Sequence, residues 1–131
     1  NLALVDGDIA HAATAEKIVA TALKRFGAVD ALVNNAGIFF TKPFTDYTAG
    51  DFDTKIATNL AGFFHITQRV AAEMLRQGSG HIVSITTSLV DHPNSSVPSA
   101  LANLTKGGIN AATRALAIRR APIRTAARPT P

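Results

Sequence analysis

Four groups of side chains in this 131-residue chain could act on a polar ligand together. Asn34-Asn35-Ala36-Gly37 closes a short apolar run and precedes Ile38-Phe39-Phe40. Gly37 has no Cβ, so backbone there can come close to a bound molecule, although the same residues also suit a plain turn. Asn59 falls in the middle of a helical stretch, where asparagine is a mediocre helix former; a solvated helix position is its other reading. Thr87 and Ser88 follow a strand-like run, as ligand-facing hydroxyls or as hydroxyls capping the start of a loop. Lys106 is a lone cation among Leu104, Gly107, Gly108 and Ile109, and either serves a site or snorkels to the surface. The chemistry on offer is hydrogen bonding by amide, hydroxyl and ammonium groups. In an open α/β sheet, ligands sit at the carboxyl ends of the strands, where such residues collect.

Other chemistries find less support. His11, His65, His81 and His92 show no metal-ligand spacing, and the absence of cysteine excludes a thiolate metal site and a disulfide framework. No Ser-His-Asp arrangement stands out from order alone. Asp46, Asp51 and Asp53 lie where a helix should begin, so they read as acids at the positive end of a helix dipole rather than an acid–base pair.

Positioning these residues requires alternating strands and helices. Residues 2–5 read as a strand ending at Asp6-Gly7-Asp8, and residues 10–26 as a helix, with Ile18, Ala22 and Phe26 at helical spacing. Gly27 is a stop signal. Residues 29–33 form the second strand, and 41–50 a loop with Pro43 and Gly50. Residues 51–77 read as a long helix, with Phe52, Ile56, Leu60, Phe63, Val70 and Met74 near one face, ended by Gly78-Ser79-Gly80. Residues 81–86 form the third strand. Pro98 can open the last helix, which runs to about Arg119. Strand–helix alternation makes this an α/β fold with a parallel sheet.

The length fits one domain, and a hydrophobic content of 47% is enough for a core. No run is apolar enough to span a membrane, and no signal peptide opens the chain. A cysteine-free chain of this kind suits the cytoplasm. The net charge of +4 comes from Arg119, Arg120, Arg124 and Arg128; without them nine basic residues face nine acidic ones. Four arginines without interleaved aromatics make no case for nucleic-acid binding. Residues 119–131, rich in Arg and Pro, are expected to be a disordered tail.

The Asn-Asn-Ala-Gly strand end, Asn59-Leu60-Ala61-Gly62, the strand leading to Thr87 and Ser88, and Lys106-Gly107-Gly108 occur in an order that closely resembles the short-chain dehydrogenase/reductase family. The resemblance covers about residues 2–118. It implies a partial Rossmann fold with three parallel strands and three helices, missing the N-terminal βαβ unit and the C-terminal strands. It implies NAD or NADP as cofactor, and interconversion of a small organic alcohol and its carbonyl by hydride transfer. Carried over by residue, Asp8 and Ile9 would lie by the adenine, and Asn35, Ala36 and Gly37 would line the ribose region. Lys106 would hydrogen-bond the nicotinamide ribose. Asn59 would sit at a helix irregularity and order a proton-relay water. Thr87 or Ser88 would orient the substrate carbonyl. The two long helices, residues 51–77 and 98–119, commonly build a dimer interface in this family, so the full-length parent is expected to be a homo-oligomer.

Two departures qualify the resemblance. The family's catalytic tyrosine, four residues before the lysine, is here Ala102; the sole tyrosine, Tyr47, lies in a distant loop. Carbonyl reduction needs a proton donor within hydrogen-bond reach, so activity is expected to be weak or absent, or to use a water held by Lys106 and Ser88. The alternative is a non-catalytic binding or dimerisation module. The glycine-rich turn that seats a pyrophosphate at a helix N-terminus is also absent, which reads as a piece of a longer chain. Without the strands that normally intervene, residues 2–5 must pair with 29–33 or stay unpaired. Successive right-handed crossovers should leave one sheet face bare.

Overall fold

The computed structural model describes residues 1–118 and 123–130. Helix α1 spans Ala12–Phe26, strand β1 Ala31–Asn34, helix α2 Ala49–Lys55 and helix α3 Gly62–Gln77. Strand β2 spans Gly80–Thr87, helix α4 Ala100–Ile118 and strand β3 Ile123–Thr130. A π turn, Ile56–Ala61, joins α2 to α3 without a break in helical backbone, so the chain makes three helical rods. The expected long helix is therefore real, with a defect inside it. Its start is set by a reciprocal cap: Thr48 Oγ1 accepts from Asp51 N–H, and the Asp51 carboxylate accepts from Thr48 N–H. Gly27 and Gly78 end α1 and α3 at φ 82° and 76°, a left-handed turn that glycine adopts without a Cβ penalty.

The sheet has the order β1-β2-β3, all parallel. Ala31, His81 and Arg124 stand abreast, as do Leu32, Ile82 and Thr125. Leu32 and the fully buried Ile82 face the helices, where Ala15, Val19, Ile66, Val70 and Met74 complete the core. On the alternate face Val33 is 61% exposed, and Ala31, His81, Arg124 and Ala126 are exposed beside it. The helices thus cover one side of the sheet, as the crossover rule requires.

The sheet differs from expectation at both ends of the chain. Residues 2–5 are not a strand; Leu2 and Leu4 are 76% and 82% exposed. A short apolar run becomes a strand only where a neighbouring edge accepts its backbone hydrogen bonds. The third strand instead comes from the Arg/Pro-rich segment expected to be disordered. β3 pairs with β2 along its whole length, from Gly80↔Ile123 to Thr87↔Thr130. Its arginines, Arg124 and Arg128, take the exposed alternate positions, and Pro129 is tolerated because this is an edge strand. Thr125 Oγ1 donates to the Thr113 carbonyl of α4, tying the strand to its helix (3.2 Å). The remainder of the expected tail, 119–122 and 131, lies outside the described residues. The last helix begins at Ala100, with Pro98 just before it.

Candidate functional site

The carboxyl ends of β1 and β2 and the first half of α4 meet at one cleft, with the π turn behind it. It has a volume of about 520 Å³ and is lined by Asn35, Gly37, Phe39, Thr87, Ser88 and Lys106, among others. A smaller hollow of about 240 Å³ adjoins it at Asn35 and Lys106, and takes in Ile9, Ala36 and Gly62. Together they gather Ile9, Asn35, Ala36, Gly37, Thr87, Ser88 and Lys106 around one space. Asp8 lines neither; its carboxylate accepts from Ala10 N–H at 2.9 Å. Ile9 rests on Gly62, where a Cβ would come within 2.9 Å of its Cγ2.

Asn59 is 1% exposed and holds the chain after β1 from below. Its Oδ1 accepts from Ile38 N–H at 2.8 Å, and its Nδ2 donates to the Ile38 carbonyl at 3.1 Å. The same Nδ2 is 3.2 Å from Thr105 Oγ1, next to Lys106 in α4. The side chain therefore joins three elements from within the π turn, a local widening of the helix that recurs at functional sites. One turn earlier, the fully buried Lys55 donates to the Phe40 carbonyl at 2.6 Å. Its Nζ lies 4.3 Å from the centre of the Phe40 ring, with Phe39 and Tyr47 within 6 Å. Burial pushes its pKa below the ordinary lysine value, and Asp51 partly opposes this.

Lys106 Nζ donates to the Ile85 carbonyl at 2.9 Å. A Cβ on Gly37 would sit 3.2 Å from this nitrogen and 3.1 Å from Asn59 Oδ1. Gly37, Asn59 and Lys106 are thus mutual neighbours, and any larger residue at position 37 would crowd both polar groups. Burial lowers the pKa of Lys106 as well, with no charged neighbour contributing. Thr87 Oγ1 accepts from Leu89 N–H at 3.3 Å, the capping role open to it from sequence, while it also lines the cleft. Ser88 lines the cleft from the short helical turn Ser88–Val90.

Ala102 is 1% exposed and does not line the cleft. Tyr47 does not replace a tyrosine there: its hydroxyl accepts from Lys42 N–H at 3.1 Å in the 39–47 loop. Asn103 Nδ2 donates to the Leu89 carbonyl at 2.9 Å, and Ser99 is buried, so both serve the helix start rather than the cleft. Lys55 and Thr105 escaped sequence reasoning. Lys55 lies four residues before Asn59, within the stripe that contains Phe52, Ile56 and Leu60. A lysine on that face was a signal that it had a buried partner.

Three comparisons bear on this arrangement. The family described as short chain dehydrogenase matches residues 1–126, so the likeness extends past Ile118 into β3 rather than ending there. A sepiapterin reductase of Chlorobaculum tepidum is 41% identical over 83 residues, covering 63% of this chain and 34% of the relative. A tropinone reductase homolog of Arabidopsis thaliana is 39% identical over 113 residues, 84% of this chain and 42% of the relative. The crystal structure of a 3-ketoacyl-(acyl-carrier-protein) reductase from Brucella melitensis, complexed with NADH, superposes with a TM-score of 0.88 at 31% identity. That match covers 94% of this chain and 53% of the reductase. The chain therefore spans between a third and about half of the length of these relatives.

Proposed function

We propose, from the premise that this chain belongs to the short chain dehydrogenase family of NAD(P)-binding Rossmann-fold oxidoreductases, that its cleft holds the nicotinamide end of NAD or NADP. The observation that carries this reading is the cradle at Gly37, where the missing side chain lets Asn59 Oδ1 and Lys106 Nζ come close to the backbone in the wall of the cleft. Asn35, Ala36 and Gly37 would line the ribose. Lys106 has donors beyond the one given to Ile85, and would bond the ribose hydroxyls. Ile9 would flank the adenine from the smaller hollow, and Asp8, outside both spaces, would act only through the turn it caps. When bound, the nucleotide supplies or accepts the hydride in alcohol–carbonyl interconversion.

The residues of this chain would orient the substrate more than they would move its proton. Thr87 or Ser88 would hydrogen-bond the carbonyl oxygen. Asn59 would keep Ile38 and Thr105, and through them both walls of the cleft, in register. With Ala102 buried, the proton would come from a water held between Lys106 and Ser88, and turnover would be weak. Titrating NADH and NADPH into a version extended to the length of its relatives tests the reading. Lys106→Met should weaken binding roughly tenfold or more, the loss of a charge-assisted hydrogen bond of ~1.5–3 kcal/mol. Absence of binding by the unsubstituted protein would end this interpretation.

A second reading, a dimerising module without chemistry, is favoured by the outer surface of α3 and α4. Phe63, Phe64, Ala71, Leu75, Ala112 and Leu116 border an apolar groove of about 550 Å³, with Phe64 56% and Leu75 54% exposed. Contiguous apolar surface of this kind commonly marks an interface. Sedimentation giving a monomer at high concentration would remove this reading and leave the first in place.

A further inference from the structure

We infer that Lys106 is a carbonyl-capture nucleophile: its amine forms a reversible imine with small apolar aldehydes or ketones that enter the cleft. Lys106 is the only ionisable side chain among the residues lining either the cleft or the adjoining hollow. Among the described residues its one hydrogen-bond partner is the backbone carbonyl of Ile85, and no carboxylate pairs with it. Other lysines differ in this respect. Lys42 is paired with Asp51 at 2.7 Å. Lys55 is sealed beneath Phe40. Lys17 and Lys24 stand in solvent.

The surroundings suit the reaction. Ile38, Phe39, Leu89 and Val97 make most of the cleft wall apolar, and its volume admits a small carbonyl compound. Thr87 and Ser88 add hydroxyls that can accept and return a proton. Burial favours the neutral amine, the form that attacks.

The step balances without oxidant or reductant. The Nζ lone pair forms a bond to the carbonyl carbon as the C=O π bond breaks. One N–H proton passes to the carbonyl oxygen and gives a carbinolamine. Loss of water, with the second N–H proton leaving alongside the hydroxyl, gives the imine; addition of water reverses it.

Butanal with sodium cyanoborohydride is the probe, since hydride addition to the imine carbon and protonation of nitrogen leave a stable butyl-lysine for peptide mapping. Lys106 should be butylated ahead of Lys17 and Lys24 at neutral pH. Lys106→Arg keeps charge and hydrogen bonding but cannot form the imine, so it should lose that adduct while labelling of Lys17 and Lys24 continues unchanged. Labelling at Lys106 no faster than at Lys17 and Lys24 would overturn the inference. The outcome is separable from the nucleotide reading, because capture needs no nucleotide. NADH binding with no preferential butylation sinks carbonyl capture alone; preferential butylation without NADH binding supports capture and sinks the nucleotide reading alone.

Discussion

The side chain of Asn59 pairs with the backbone of Ile38 as a neighbouring strand would, accepting from its N–H and donating to its carbonyl. Gln77, at the far end of the same helical rod, does the same to Val29, at 3.0 and 3.1 Å. Two side-chain amides thus hold the chain at either end of β1, and Thr67 takes the Asn34 side-chain amide between them. This explains how a strand of four residues keeps its register. It also explains why the segment 35–39, which lines the cleft and the adjoining hollow, is set by helix 49–77 rather than by the sheet.

Replacing Asn59 should therefore loosen the cleft and the fold together. Asn59→Leu leaves the Ile38 N–H and carbonyl without partners, each a loss of ~1–3 kcal/mol when buried. We expect a destabilisation of about 2–4 kcal/mol, read as a fall in the urea midpoint. An unchanged midpoint would show that the two hydrogen bonds do not persist in solution.

Asp51 should shape the acid limb of stability. The side-chain bond from Lys42 and the bonds from Thr48 lower its pKa from 3.8 to about 2. The folded pKa is depressed, so its contribution is complete above pH 3.8 and is lost as the pH falls through about 2. Asp51→Asn should flatten the stability profile across that window. The measurement is denaturant unfolding at stepped pH; an identical slope would place the carboxylate in solvent.

Lys55 acts in the opposite direction. Its pKa is lowered by burial, so between its folded value and the usual 10.5 the unfolded chain binds more protons. Stability from this residue therefore rises with pH in that window. Lys55→Met should make the alkaline rise shallower, with Lys106 still contributing the remainder. A steeper rise in the variant would contradict the assignment of Lys55 as a buried amine.

On the nucleotide-binding reading proposed above, a proton donor at position 102 would add acid–base help to the cleft. General acid–base help is worth about 10²–10⁴ in rate. In a version of the relatives' length, Ala102→Tyr should raise carbonyl reduction by that order, measured as nicotinamide absorbance change with a small aldehyde. Nucleotide binding with no gain in rate would mean that position 102 does not face the reacting carbonyl.

Local signals were sufficient for much of this. Gly27 and Gly78 announced the helix ends because left-handed backbone is a property of one residue. Helical spacing found α1, the 49–77 rod and α4, since each repeats its apolar face within a few turns. Asn35, Ser88 and Lys106, singled out by their order, line one cleft, with Asn59 buried behind it. Lys55 and Thr105 were less visible, because a buried polar group declares itself only through a partner on another element.

Sheet membership could not be read the same way. Residues 2–5 look more like a strand than 123–130 do, yet only the latter lie in the sheet. A ladder is made of backbone hydrogen bonds to a distant segment, and side-chain composition at an exposed edge says little about them. The order of residues thus determined which polar groups were candidates for one site and which helices would carry them. The tertiary structure alone decided that Asn59 and Lys106 both reach Gly37, and that an arginine- and proline-bearing segment forms an edge of the sheet, because both depend on contacts between parts of the chain far apart in sequence.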